Sequence, residues 1–598
     1  MSRSQLSRRA VVAGGAGLAM LGASLSPALG APTETYPTDA VNGWVTSTMA
    51  RMTLQEKVGQ LFVQYAYGSS ADTKDARNVP LYGVETPAEV VQKYHLGGVI
   101  YFNWTDSANN PDQIAHLSNG LQQAALSEDS KVKVPLTIAT DQEQGVVVRV
   151  GPPATQFPGN MALGAGRSIE DARSAARISG EELKAIGINT DFAPVSDVNV
   201  NPLNPVIGVR SFSSDPTLAA DLASAQVKGY QDDAGISATA KHFPGHGDTD
   251  VDSHFGFPVI THTREQWEQI DAPPFKADIA AGIDMIMTAH INFPALDPAG
   301  DPATLSKPIL TGVLRGELGF KGVIITDSLG MQGVRDKYGD AEVAVRALLA
   351  GVDQLLMPPD MDTAYNAVVD AVKSGRISQQ LLDEHVRRVL ELKYEKGLVA
   401  NPYVDTSAVD SVVGTPEHLA AADAITNRTA TLVKNDDSAL PMAVDGKKVL
   451  VTGYGVTTTA TLGDALATRG ADVTVKQTGT TPSDAAIAGA VTAAADKDAV
   501  VVTTMKAWSN DQQQKLVEQL LATGKQVIVV AVRDPYDIAY FDNAPTYVAT
   551  YSYSPVAIEA LARVLTGEVK PAGKLPVDIP VAGDPDTVLY PFGFGLTY

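Results

Sequence analysis

The chain has no cysteine among its 598 residues. Disulfides, thiolate metal sites and lipid attachment through an N-terminal cysteine are thereby excluded. Histidine is scarce, nine in all, and tryptophan scarcer at four. Basic residues are outnumbered: 46 Lys+Arg against 68 Asp+Glu give a formal net charge of −22. That balance opposes binding to nucleic acid or an anionic membrane and favours solubility. Long apolar runs are missing past the extreme N-terminus, where no segment offers the ~20 apolar residues of a spanning helix. What remains is a globular composition, 44% apolar and 19% charged, long enough for two domains or three.

The N-terminus does carry an apolar run. Arg8 and Arg9 precede residues 10–25, rich in Ala and Gly, and the small residues Ala28 and Gly30 follow. An uncleaved membrane anchor is the competing reading. The shortness of the run and the cleavage site favour a twin-arginine-type signal peptide over residues 1–31, removed near Gly30 or Ala31. Export, to the extracellular space or the cell wall, is expected, with no membrane attachment after cleavage.

From residue 35 to residue 398, eight short apolar runs alternate with helical patterns: 59–66, 96–102, 134–143, 188–197, 236–245, 284–291, 322–329 and 353–359. Near-continuous apolar strands between helices predict a parallel sheet covered by helices. Eight units predict a (β/α)8 TIM-type barrel with insertions. Several runs end in polar groups: Asp141 and Glu143, Asp191 and Asp197, Lys241 and His242, His290, Asp327. In a parallel barrel all strand C-termini open on one face, so these residues converge there.

The pattern breaks near Val399. Residues 399–420 read as a linker, and residues 421–598 as a second, smaller α/β sandwich or doubly wound domain. Gly453-Tyr454-Gly455 follows its first strong strand but lacks the full Gly-x-Gly-x-x-Gly pattern of a nucleotide site.

The segment KHFPGHGDTDVDSH, residues 241–254, holds three of the nine histidines. His242 and His246 are four apart, but Pro244, Gly245 and Gly247 forbid a helix, so the spacing is no metal signature. Asp248, Asp252 and His254 could still ligate a metal in a loop. A structural reading has His246, Asp248 and Asp250 satisfying hydrogen bonds. A catalytic reading rests on Asp252 and His254, since a carboxylate near an imidazole fixes its tautomer and stabilises its protonated form. Gly245 and Gly247 would then let the loop move over a substrate.

The same segment resembles the signature of glycoside hydrolase family 3, in its β-N-acetylglucosaminidase branch. ATDQEQGVVVRV (139–150), GVRSFSSDP (208–216) and GVIITDSLGM (322–331) resemble further family motifs, as do TATLVKNDDSALPM, GKLPVDIP and YPFGFGLTY in the second domain. The likeness runs through nearly the whole mature chain in order. It implies a retaining mechanism with Asp327 as nucleophile, His254 as acid/base and Asp252 as its partner, where retaining glycosidases usually employ two carboxyl groups. Asp327 could otherwise serve as a helix N-cap. The resemblance places Lys241, His242, Asp141, Arg149 and Arg210 on the sugar's hydroxyls. For the two arginines, a salt bridge shaping the pocket is the alternative. Two positions depart from the family pattern. Gln144, Gly145 and Val146 stand where Gly-Gly-Arg often follows, and Ser328 follows the nucleophile in place of an acidic residue.

The expected activity is exo-hydrolysis of terminal β-linked N-acetylglucosamine from a carbohydrate substrate, peptidoglycan fragments or chitin oligosaccharides, with no cofactor and no metal. Three alternatives stand beside it. A neutral histidine repels phosphate less than a carboxylate does, so the same residues could carry out phosphorolysis. β-Glucosidase activity would need another acid, from Glu417, Glu518, Glu559 or Glu568. A wall-binding scaffold on an inactive barrel is the non-enzymatic reading.

Overall fold

A computed structural model describes residues 38–127, 131–253, 255–335 and 337–598. The leader at 1–31 and His254 lie outside the described residues.

Eight parallel strands form the first sheet: β1 (Phe62–Gln64), β2 (Gly98–Ile100), β3 (Thr137–Thr140), β4 (Thr190–Asp191), β5 (Ser237–Phe243), β6 (Met285–Thr288), β7 (Val323–Thr326) and β8 (Leu355–Leu356). Each falls inside one of the eight apolar runs. Neighbours pair in sequence order and β1 also pairs with β8. A parallel bridge from Ile325 to Gln354 ties β7 to β8 and closes the ring.

The two-residue period of a strand sorts its side chains. Val63, Ile100, Ala139, Met285, Met287, Val323, Ile325 and Leu356 fill the barrel's interior. Their neighbours Phe62, Val99, Ile138, Ile286, Ile324 and Leu355 join the larger core under the helices. Burying each such Val, Leu or Ile contributes about 1.5–3 kcal/mol. Helix starts follow ordinary chemistry. Thr53 and Thr86 make capping boxes with Glu56 and Glu89, and Ser168 caps Ile169–Ala185.

After the barrel the chain runs back over its exterior. Asn119 exchanges hydrogen bonds with Val404, and Glu182 accepts from the Gly414 N–H and pairs with His418 at 2.8 Å. The helix Pro416–Thr426 spans the boundary read at 420/421 and buries Ala422 and Ile425 with Phe157, Ile178 and Leu222 of the barrel domain.

The second domain holds a six-stranded mixed sheet. Its strands are β9 (Thr431–Asn435), β10 (Lys448–Gly453), β11 (Asp472–Gln477), β12 (Ala499–Thr504), β13 (Gln526–Ala531) and β14 (Thr546–Ala549). Their order is β11-β10-β12-β13-β14-β9, parallel except for β9 against β14. Alternation again sorts the faces. Leu450, Val500, Val502, Val527 and Val529 face one core, while Val449, Val451, Val501, Ile528 and Val530 face the other. The first core also takes in Met161, Ala162, Ala165 and Val209 of the barrel domain, so apolar packing is continuous across the two domains. A terminal hairpin, β15 (Ile579–Val581) with β16 (Asp584–Tyr590), follows.

Candidate active site

Polar groups gather at the C-terminal ends of β3, β4, β5, β6 and β7. Lys241 lies near the end of β5, two residues before Phe243, and is 2% exposed. Its ammonium lies 2.7 Å from Asp141 Oδ1 and 2.6 Å from Glu143 Oε1. Arg210 donates to both oxygens of Glu143, each at 2.8 Å. Two cations therefore share one buried carboxylate. Burial pushes the Glu143 carboxyl up, but Arg210 and Lys241 outweigh it and hold the group well below the usual carboxylate range. The loop that carries Glu143 is folded back by Gln142, whose Oε1 accepts from the N–H groups of Arg149 and Val150.

His242 points from the next position. Its Nδ1 lies 2.7 Å from Asp197 Oδ2, and its Nε2 lies 3.4 Å from Arg210 Nη2. When the ring is neutral, this pairing makes Nδ1–H the donor and Nε2 the acceptor. Asp197 is fully buried and accepts the backbone N–H groups of His242 and His246 as well. Burial opposes its ionisation, but His242 and the other donors prevail and hold it below its ordinary value.

Asp327 follows β7 and remains partly accessible. Its Oδ1 accepts the Ser328 N–H at 2.7 Å. Burial raises its carboxyl, while His242, His290, that N–H and Lys241 lower it; the net shift is downward. The group is therefore an ionised carboxylate at neutral pH, held among positive and hydrogen-bonding neighbours. His290 is fixed by Thr304 Oγ1 at 2.7 Å and the Ser328 carbonyl at 2.9 Å, and burial keeps its ring below the ordinary histidine value.

The histidine loop is anchored at several points. His246 Nε2 meets Ser253 Oγ at 3.0 Å, and the Ser253 carbonyl accepts from Gly333. Burial pushes the His246 ring down to about 4, so it is a neutral strut at physiological pH. Asp248 pairs with His262 at 3.0 Å, and His262 with Asp271 at 2.7 Å. The two glycines serve close packing. A Cβ on Gly247 would lie 1.7 Å from the Val198 carbonyl oxygen, and one on Gly245 2.7 Å from Asp271 Cβ. Asp252 sits beyond these anchors, its carbonyl accepting from Phe255 and Gly256.

The structure thus brings Asp141, Lys241, His242 and Arg210 into one network, with His242 and Lys241 acting on Asp327 from close by. Arg149 stands apart from its ion pairs: the guanidinium lies 5.5 Å from the Phe102 ring centre and its Nε has no hydrogen-bond partner among the described residues. Arg210 makes the salt bridge weighed as the alternative to a sugar contact. Among the described residues no group of three or more His, Asp or Glu could hold a metal ion. Of the carboxylates considered as substitute acids, Glu559 and Glu568 are engaged by Arg469, and Glu417 and Glu518 are exposed on helices. Asp197 and His290, which end apolar runs and so were expected on this face, lie beside His242 and Asp327, contacts that the sequence motifs did not assign.

Comparison with known proteins follows the same lines. The Glycosyl hydrolase family 3 N terminal domain matches residues 53–392, and the family's C-terminal domain matches residues 430–598. The chain is 33% identical to "Beta-hexosaminidase A" of Pseudoalteromonas piscicida, covering 89% of this chain and 98% of the relative. It is 30% identical to "Beta-N-acetylglucosaminidase/beta-glucosidase" of Cellulomonas fimi, with 90% and 95% covered. A solved glycoside hydrolase family 3 β-N-acetylglucosaminidase from Paenibacillus sp. str. FPU-7 superimposes with a TM-score of 0.81 at 39% identity, covering 89% and 99% of the two chains.

Proposed function

Because the chain belongs to glycosyl hydrolase family 3 through both of its domains, we propose that it is an exported, retaining exo-β-N-acetylglucosaminidase acting on peptidoglycan fragments or chitin oligosaccharides. One observation carries the chemistry: Asp327, partly accessible at the end of β7, is held ionised by His242, His290, Lys241 and the Ser328 N–H. An ionised carboxylate at the mouth of a parallel barrel suits attack on an anomeric carbon.

In this reading Asp327 forms a bond to C1 as the glycosidic oxygen departs, and His254, oriented by Asp252, protonates that oxygen. Water then attacks C1, gives its proton to His254, and releases the sugar with retained configuration. Lys241, His242, Asp141 and Arg210 present directed donors and acceptors to ring hydroxyls, already fixed by their mutual ion pairs. The names of the Pseudoalteromonas, Cellulomonas and Paenibacillus relatives support the acetamido sugar. The Cellulomonas name also carries β-glucosidase, which makes the glucoside the second substrate to assay. The paired arginines and the apolar stretch of the leader support export.

The test compares kcat/KM on 4-nitrophenyl β-glycosides of N-acetylglucosamine and of glucose, for the mature chain and for Asp327→Asn. A preference for the acetamido sugar is expected, with a fall of about a thousandfold or more in the variant. A slow fluorinated glycoside should add one glycosyl unit to the intact mass of the parent and none to the variant. Activity within tenfold of the parent in Asp327→Asn would refute the nucleophile. Retention of the leader by the protein recovered from the medium would refute cleavage on export.

A further inference from the structure

The second domain presents its own strand ends to this site. Lys506 follows β12 by two residues, in a left-handed conformation at φ 55°. Arg533 follows β13 by two. The chain leaves β10 outward to β11 and returns across it to β12, and in open α/β sheets such a reversal opens a crevice at the strands' C-terminal ends.

These loops touch the elements that build the barrel's site. Lys506 Nζ donates to the Pro205 carbonyl at 3.4 Å. The adjacent Asn204 holds the carbonyls of His246 and Gly247, at the root of the histidine loop. Tyr536 accepts from Asn199 at 3.2 Å, and a Cβ on Gly208, which opens the turn to Arg210, would lie 3.3 Å from Asp534 Oδ1. Lys506 also lies within electrostatic reach of Asp252, on the side of the site where the leaving group departs in the proposed mechanism.

The two cations share one nearby carboxylate, Asp534, with Asp252 also within electrostatic reach of Lys506. Among the described residues Lys506 makes no ion pair, and Arg533 makes one, to Asp534 Oδ2 at 3.8 Å. The Nε of Arg533 is buried with no hydrogen-bond partner, as is that same Asp534 oxygen. Burial and Arg533 pull the Lys506 ammonium down, Asp534 and Asp252 push it up, and the net shift is downward. Two partly buried cations beside one loosely held carboxylate are costly, and a further anion would offset that cost. This occurs in a chain whose net charge is −22.

We propose that Lys506 and Arg533 form an oxyanion site on the leaving-group side, which takes a carboxylate borne by the sugar next to the cleaved bond. The inference rests on the glycosidase reading above and specifies its substrate: β-linked N-acetylglucosamine on an acidic sugar is preferred over the same unit on a neutral one. Free inorganic phosphate offers the same chemistry. It would enter as acceptor, its oxygen bonding to C1 as the Asp327 ester bond breaks, with its proton passing to the acid/base group.

The experiment measures kcat/KM on two disaccharides, N-acetylglucosamine β-linked to a lactyl-bearing amino sugar and to N-acetylglucosamine. The proteins are the parent, Lys506→Asn, Arg533→Gln and Lys506→Arg. The acidic-to-neutral ratio should fall about tenfold to a hundredfold in the first two variants and persist in Lys506→Arg. In the parent, added salt should weaken the acidic substrate more than the neutral one, a readout that needs no folded variant. A phosphate titration with product analysis separates the sources: sugar 1-phosphate formed by the parent and lost in Lys506→Asn identifies phosphate as the anion. Equal losses on both disaccharides, or an unchanged ratio with no phosphate effect, would overturn the site. A parent inactive on both disaccharides fails the glycone instead, and the same variants are then compared on glucosides with carboxylated and neutral leaving groups.

Discussion

The barrel's strand ends and those of the second domain treat buried charge in opposite ways. At the barrel, Lys241 lies between Asp141 and Glu143, and Arg210 holds both oxygens of Glu143. Across from them, Arg533 has one distant carboxylate oxygen, and Lys506 has no ion pair among the described residues. The contrast matches what each face is proposed to hold. Sugar hydroxyls are neutral, so the groups that meet them must be fixed beforehand by their own ion pairs. An anion brings the missing countercharge itself, so its site is left incomplete.

Stability measurements can break this contrast. Glu143→Gln leaves two buried cations underpaired and should cost about 3–5 kcal/mol. Arg533→Leu removes a guanidinium with little to lose and should shift stability by less than about 1 kcal/mol in either direction. Urea unfolding of both variants beside the parent reads the difference. Comparable losses would mean that Arg533 is as well paired as Arg210, and the contrast would fail.

Much of the barrel side was legible in the sequence, because a strand buried on both faces writes itself as a short apolar run and its end as a polar break. All eight strands, and the placement of Asp327, Lys241 and His242 at strand ends, follow from that signal. Pairing is another matter. His242 finds Asp197 across 45 positions and Arg210 finds Glu143 across 67, and nothing local encodes which strand end meets which. Arg149 illustrates the same limit: its place in a family motif suggested a sugar contact, and nothing local announced that its guanidinium would lie over Phe102. In the loop, His246 and Asp248 proved to be struts, bonded to Ser253 and His262, as the structural reading of the segment had it. The Lys506–Arg533 pair carries no signal in sequence at all. It arises only where two parallel strands bring their C-terminal loops side by side.

His262 sharpens the comparison from within the barrel domain, since its two carboxylate partners sit at the base of the histidine loop. Hydrogen bonds that its ring donates to Asp248 and Asp271 outweigh burial and push the ring up to about 10. A folded-state value above the unfolded one, about 6.5, means that its stabilisation is complete below that pH and is lost as pH rises through the folded value. The parent should therefore exceed His262→Gln by a few kcal/mol at pH 6, an order-of-magnitude figure from the linkage. The gap should close toward pH 10. A gap that stays constant across that range would show that the ring acts by packing rather than by charge.

The smallest effect isolates burial from geometry. Lys515 and Asp484 join two helices of the second domain at 2.8 Å, with side chains 42% and 76% exposed. That separation is nearly the 2.7 Å of Lys241 and Asp141, whose side chains are 2% and 18% exposed. Coulomb attraction at equal distance scales inversely with the local dielectric, so water around the outer pair weakens it severalfold. Ordering two long side chains offsets much of what remains. Lys515→Ala should thus change unfolding free energy by less than about 1 kcal/mol, and the difference should vanish in about 1 M salt, where the screening length is about 3 Å. A loss approaching that of Glu143→Gln would mean that proximity, not exclusion of water, sets the worth of a charge pair in this protein. Burial would then not distinguish the charges at the two strand-end faces.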